Sequence, residues 1–275
     1  MNGHLVSLAS GVLPEFTPRE MAAAAAGAGF EAVGLWVEPD KWDAGVTRDI
    51  RRIVSDAGLI VLDAEVIWIQ PGPLDPAHLR IVDIAAEVGA RNLLVVSSDP
   101  DLDATAEKLA ALVDHAQPAG ITVSLEFGAF TEIKSLAMAL DVLERSGRPK
   151  AGLLIDPLHL ARTGGGPSDV ARVGRERFAY AQFCDAPASG PGVDDVKAII
   201  EEAVDGRLFP GEGALPLGDL LRALPAAIPL SVELRSKALR DAWPDPVDRA
   251  KALRAATQTY FARQADRPGG YLPSG

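Results

Sequence analysis

Short, strongly apolar runs alternate with alanine- and leucine-rich stretches along nearly the whole chain. Eight of the runs have strand length and β-branched content: residues 5–9, 32–36, 60–66, 92–97, 122–126, 152–156, 179–183 and 230–233. Several are almost continuously apolar, Leu93-Leu94-Val95-Val96 above all. A strand needs such a run when both faces of its sheet are covered. The intervening stretches carry helix starts. Thr17-Pro18-Arg19-Glu20 sets a capping threonine before a first-turn proline, with a glutamate three residues on, the pattern of a capping box. Helices are also predicted over 103–115 and 168–177, each after a capping residue.

Eight strand–helix alternations in 275 residues come to about 34 residues each, the repeat of a (β/α)8 barrel of roughly 250 residues. The predicted fold class is α/β, a single (β/α)8 TIM barrel over residues 1–262 followed by a polar tail, 263–275. A doubly wound open sheet is the alternative. It would place a glycine-rich nucleotide turn after an early strand, and neither GxGxxG nor GxxxxGK[ST] occurs.

Composition narrows the partners. With 48% apolar and 24% charged residues the chain can build a sizeable core. Lys plus Arg total 27 against 38 Asp plus Glu, a net charge of −11, which argues against nucleic acid or an anionic membrane surface. No apolar run approaches the roughly 20 residues of a membrane span. The first eight residues hold no basic segment, so the expected compartment is the cytoplasm. The single cysteine, Cys184, has no partner for an internal disulfide, and no CxxC or Cys/His zinc spacing exists. Cys184 reads as a packing residue in a buried strand.

In a barrel of this kind the chemistry sits at the C-terminal ends of the strands. Strand five ends Leu125-Glu126-Phe127, strand six Ile155-Asp156-Pro157-Leu158-His159, strand seven Gln182-Phe183-Cys184-Asp185 and strand eight Val232-Glu233-Leu234-Arg235. One acidic residue at a strand end is ordinarily a helix cap or an ion-pair partner. Four oxygen-bearing side chains at successive strand ends would repel or stay unpaired without a cation. As a hard, oxygen-rich set they suit one divalent metal ion, Mg2+ or Mn2+.

These residues, with Arg207 ahead of Pro210-Gly211-Glu212-Gly213, resemble the sugar phosphate isomerase/epimerase superfamily, the xylose isomerase-like TIM barrels. The resemblance spans about residues 4–260 and is specific in the second half, whereas the first half matches in rhythm. It implies Glu126, Asp156, Gln182 and Glu233 as metal ligands and Glu126 and Glu233 as proton-transfer residues. It also implies that His159 and Arg207 face the substrate, His159 being counted with the catalytic groups. Gln182 stands where most sugar epimerases of the family have histidine. That shifts the expected preference from Zn2+ toward Mg2+ or Mn2+, and it resembles the 3-dehydroshikimate dehydratase branch.

The expected activity is metal-dependent proton abstraction next to a carbonyl of a sugar, inosose or related polyhydroxy ketone, giving an isomerase or epimerase. The alternative is a dehydratase, a lyase in which the intermediate loses a β-hydroxyl. A hydrolytic nuclease of the same barrel class would need several more histidine ligands than four histidines provide. A barrel that only binds a polyol would have no use for four strand-end ligands.

The front half supplies candidates for specificity. Trp36 with Glu38 at the end of strand two, and Glu65 with Trp68 at the end of strand three, can wall a pocket against a ring or sugar face. Arg207 and Arg235 are present, but no loop after strands seven or eight forms a phosphate cradle, which favours an unphosphorylated small molecule. The sequence leaves a homo-oligomer open.

Overall fold

The computed structural model describes residues 3–192 and 194–265. Its strands are β1 (Val6–Leu8), β2 (Ala32–Trp36), β3 (Ile60–Ile69), β4 (Asn92–Ser97), β5 (Thr122–Glu126), β6 (Gly152–Leu154), β7 (Ala181–Phe183) and β8 (Leu230–Val232). Every pairing is parallel, in the order β6-β5-β4-β3-β2-β1-β8-β7. The two ends of that order meet where the Gln182 N–H donates to the Ile155 carbonyl at 3.0 Å. The protein is one near-closed α/β barrel of the (β/α)8 type, as the alternation predicted. Each predicted strand is present, and β3 runs three residues past its expected end.

The helices are α1 (Pro18–Ala28), α2 (Ala44–Ala57), α3 (Pro76–Val88), α4 (Leu102–Ala116), α5 (Leu136–Arg145), α6 (Pro157–Arg162), α7 (Pro167–Val170), α8 (Val196–Asp205), α9 (Leu217–Ala223), α10 (Lys237–Ala242) and α11 (Pro246–Ala265). The capping box of α1 is formed: Glu20 N–H donates to Thr17 Oγ1 at 3.3 Å, and Thr17 N–H donates to the Glu20 carboxylate at 2.8 Å. Gly29, at φ 76°, closes the helix in the left-handed region. The helix predicted over 168–177 is instead the short α7 and a separate 3-10 turn, Arg175–Arg177. Gly174, a poor helix residue, lies between them. The last helix extends to Ala265, so residues 263–265 of the predicted tail are helical, and residues 266–275 lie outside the described residues. Among the described residues no helix is long and apolar enough to cross a membrane.

Strand alternation sorts the core into two layers. Leu93 and Val95 of β4 pack between the strands and the helices, whereas Leu94 and Val96 join Leu62, Leu154 and Tyr180 inside the barrel. That two-sided burial accounts for the unbroken apolar run. On β5, β7 and β8 the inward positions are polar: Ser124 and Glu126, Gln182, then Ser231 with Glu233 just beyond, all buried. One side of the barrel mouth is therefore acidic because the same alternation that fills the core with leucine on β4 points oxygen inward here.

β3 shifts register against β2 between Val33 and Gly34 and against β4 between Ala64 and Ile67. Bulges re-aim side chains, and Asp63 and Glu65 both lie against Gly34. A Cβ at Gly34 would sit 3.0 Å from Asp63 Oδ2 and 3.2 Å from Glu65 Oε1. The missing side chain makes room for two carboxyl groups.

Candidate active site

Asp156 is the N-cap of α6, where Pro157 fits the first turn. Its Oδ1 accepts from the N–H of Leu158 at 2.7 Å and of His159 at 3.1 Å. Its Oδ2 pairs with Arg207 Nη1. Capping thus serves geometry: the short helix that Asp156 starts also carries His159 into the mouth. The His159 ring meets Phe130 edge-on, with centroids 5.2 Å apart. Burial lowers its pKa to about 4, so the ring is neutral at neutral pH and has a lone pair to offer.

Glu126 closes β5 and Glu233 follows β8. Burial pushes both carboxyls above their usual range. For Glu126 the charges of Asp156 and Glu233 add to the effect, and for Glu233 the Arg207 guanidinium opposes it from 3.7 Å. Asp156 goes the other way: burial opposes its charge, but Arg207 and His159 outweigh burial and hold it below the usual carboxylate range.

Glu126, Asp156 and His159 each offer a ligand atom, and the three atoms lie within 4.8 Å of one another. Gln182, on β7, keeps its Oε1 buried without a hydrogen-bond partner, as does Glu126 with its Oε1. Three buried carboxylates share Arg207, and two buried oxygens are orphaned. Such a set fits a divalent cation, with oxygen donors in excess and one neutral imidazole at hand. The donor set does not single out one metal.

Other predicted residues lie at different depths. Arg207 is buried, with Nε donating to the Ala203 carbonyl at 2.9 Å and Nη1 facing both Asp156 and Glu233. Trp36 is half-buried and lines a cavity of about 560 Å³ beside Phe16, Glu38, Trp42 and Arg235. Glu65 lies inside the barrel next to Asp63, and burial raises its carboxyl well above the usual range, helped by the charges of Asp63 and Glu233. Trp68 stands on another part of the rim: its indole N–H donates to Ser98 Oγ at 2.7 Å, and its ring tilts against Phe130 at 6.3 Å. Trp68, Phe130 and His159 form one continuous aromatic wall.

Sequence reasoning passed over two contributors, Asp63 and Phe130, and gave Asp185 no role of its own. Asp63, fully buried beside Glu65, has its pKa raised to about 7, mainly by burial, with its contact to Glu65 opposing and the charge of Glu233 adding. Its signal was an aspartate inside an otherwise apolar strand. Phe130 gave none. Asp185 organises the glycine-rich turn, accepting from the N–H groups of Gly211 at 2.9 Å and Leu215 at 3.0 Å. A Cβ on Gly213 would fall 2.3 Å from the Ala186 carbonyl oxygen, so that turn requires glycine. Cys184 is buried, and burial raises its thiol well above the usual value, in keeping with a packing role.

Fold and site together define an eight-stranded α/β barrel with an acidic, metal-competent mouth. The chain belongs to the xylose isomerase-like TIM barrel family, whose model matches residues 22–258. It is 28% identical over 256 residues to a 3-dehydroshikimate dehydratase of Pseudomonas aeruginosa, a match covering 85% of this chain and 38% of that protein. An inosose isomerase of Bacillus velezensis is 28% identical over 125 residues, 44% of this chain and 41% of that protein. The chain thus spans about two fifths of the length of these relatives. Among solved structures, the IOLI protein with a bound zinc atom superposes with TM-score 0.76 at 16% identity, covering 94% of this chain and 99% of that one. That likeness establishes the fold.

Proposed function

We propose that the chain is a divalent-metal-dependent lyase that removes a proton next to the carbonyl of a small polyhydroxylated ring compound and expels a β-hydroxyl, a dehydratase of the 3-dehydroshikimate type. The observation that carries it is the ring of Glu126, Asp156, Gln182 and Glu233 at the ends of four successive strands, with Gln182 Oε1 and Glu126 Oε1 buried and unpartnered. Those four residues are the proposed ligands, with Mn2+ or Mg2+ the cations best matched to oxygen donors, and His159 is near enough to join or replace one of them. A divalent metal held there supplies the positive charge that acidifies the C–H beside a carbonyl.

The chain's own groups do the proton work. Glu126 and Glu233 approach from β5 and β8. One removes the proton, and the other, having taken one up before turnover, gives it to the departing hydroxyl, which leaves as water. His159, neutral and fixed by α6, holds a substrate oxygen, and the wall of Trp68 and Phe130 excludes water beside it. Arg207 steadies Asp156 in its ligating orientation. The dehydratase outcome is favoured by Gln182 and by the relative matched over most of this chain. A second reading, isomerase or epimerase, is favoured by the same two glutamates, since a protonated carboxyl could return the proton to carbon instead.

Incubation with 3-dehydroshikimate and with inososes at saturating Mn2+ separates them. Aromatic absorbance growing from 3-dehydroshikimate supports the lyase. Stereochemical scrambling of an inosose without loss of water would replace it with the second reading.

A further inference from the structure

The cavity beside Glu233 holds a cation, Arg235, that is in no ion pair among the described residues. Among the described residues on its wall, Arg19 pairs with Asp49 at 2.9 Å, Lys41 with Glu38 at 2.9 Å, and Glu15 with Arg249 at 2.6 Å. Among the described residues Arg235 makes no ion pair, and its Nε is buried without a hydrogen-bond acceptor. Ser10 Oγ, on the same wall, is also buried and unpartnered. The charge of Arg235 reaches Glu233 and favours its ionised form, but Arg207 is the cation that pairs with that carboxylate, at 3.7 Å.

Gly11 joins this cavity to the catalytic carboxylates. A Cβ there would lie 2.8 Å from Glu233 Oε1 and 2.9 Å from Arg235 Cγ. The glutamate head and the arginine stem therefore meet over one bare Cα, and Phe16 and Trp36 flank the space beyond. A guanidinium presents a planar fork of donors matched to a carboxylate. A guanidinium with an unpartnered Nε, an unpartnered hydroxyl and apolar ring faces describe a place for an anionic group on a flat ring.

We propose that Arg235, assisted by Ser10, binds a carboxylate on the substrate, so that the site selects ring acids over neutral sugars and cyclitols. The proposal rests on the reading of the same mouth as the active site, and it narrows the substrate to a carboxylic acid whose carbonyl end points toward Glu233.

The test uses two probes that differ only in the carboxylate, 3,4-dihydroxybenzoate and catechol, titrated calorimetrically into the full-length Mn2+-loaded protein. A charge-assisted pair leads us to expect the acid to bind about tenfold or more tighter in the wild type. Arg235→Gln should bring that ratio to within about twofold of unity, and Arg235→Lys should keep part of it. Lys41→Gln removes a charge from the same cavity wall and should leave the ratio intact. Equal binding of the two probes by the wild type, or a ratio that survives Arg235→Gln, overturns the proposal. A loss as large in Lys41→Gln would mean that only diffuse charge is felt, and also overturns it. Metal content is measured in each sample. If the ratio behaves as expected but 3-dehydroshikimate is not turned over, the dehydratase reading falls and the carboxylate site stands. Turnover with no dependence of the ratio on Arg235 is the reverse case.

Discussion

The Arg207 guanidinium and the Asp156 carboxylate form an ion pair buried on both sides, 3% and 0% exposed. The same guanidinium faces Glu233 at 3.7 Å, so one arginine from the loop before the glycine-rich turn tempers carboxylates from β6 and β8. Asp156 is at once a helix cap, an ion-pair partner and a proposed ligand, which ties the geometry of α6 to the charge state of the mouth.

Removing the arginine should expose that coupling. Arg207→Met leaves Asp156 and Glu233 buried without their counter-ion, a loss worth about 3–5 kcal/mol in comparable buried pairs. The metal-free variant should melt well below wild type. Added Mn2+ should raise its melting temperature more than it raises that of wild type, because the cation takes over the missing charge. Equal metal-induced shifts in calorimetry would mean that Arg207 and the metal do not address the same carboxylates.

Metal removal and ligand loss should agree. Asp156→Ala should lower Mn2+ content by elemental analysis far below one equivalent, since the remaining donors lose both charge and the α6 cap. Retention of wild-type metal would remove Asp156 from the ligand set and leave Glu126, Gln182 and Glu233 to be tried in turn.

Glu126→Gln and Glu233→Gln keep an oxygen donor but lose the basic lone pair. Turnover should fall roughly 100- to 10,000-fold while metal is retained at saturating Mn2+. Exchange of the substrate's acidic C–H with deuterium separates the roles: the base variant stops exchange, whereas the acid variant still exchanges but does not release product. Wild-type exchange in both variants would acquit both glutamates and make His159 the next base to replace.

Much of this was legible along the chain because its causes are local. Alternation marked all eight strands, the capping box marked α1, and the strand-end rule put forward Glu126, Asp156, Gln182 and Glu233, of which Glu126 and Asp156 lie with His159 in the cluster able to hold a metal. What stayed hidden depends on contacts between distant segments. β1 pairs with β8 across more than 200 residues of chain, as Val6 opposite Leu230 shows. Only that closure sets Gly11 beside Glu233 and Arg235. Asp63 was concealed by its apolar strand, and its inward turn depends on register shifts that no hydrophobic pattern encodes. Trp36 and Trp68 both read as pocket walls in sequence, and the fold sets Trp36 beside Phe16 and Arg235 and Trp68 beside Phe130.

Asp63 should imprint a pH dependence on the metal-free protein. Its folded pKa, raised to about 7 from 3.8, means the folded state keeps a proton that the unfolded chain releases. The stability tied to that proton is full below pH 4, and it declines as pH rises until the folded group itself titrates near 7. The loss is on the order of 2–4 kcal/mol. Asp63→Asn, neutral in both states, should remove part of that decline and leave the part due to Glu65, Glu126 and Glu233, whose carboxyls burial also raises. Urea unfolding in chelator at pH 5 and pH 7.5 measures it. An equal drop in variant and wild type would assign the dependence to other groups.

Gly11→Ala tests whether Glu233 must remain open to the cavity. Gly11 does not occupy the left-handed region, so alanine fits its backbone and any effect is steric. The new Cβ would meet Glu233 Oε1 at 2.8 Å and the Arg235 side chain at 2.9–3.0 Å, closer than real Cβ contacts allow. One of the two side chains must move. Because the neighbours are side-chain atoms and not backbone, the fold should survive, with a melting temperature close to wild type. A displaced proton-transfer carboxylate is costly, however, and a 1 Å error of placement can take about 100-fold from the rate. Gly166→Ala is the matched control, since a Cβ there has nothing within 4 Å. The expected pattern is a loss of kcat/KM approaching that factor in Gly11→Ala and none in Gly166→Ala. Wild-type turnover in Gly11→Ala would show that neither Glu233 nor Arg235 is needed where the structure puts it, and the cavity would cease to be a candidate for the substrate's carboxylate.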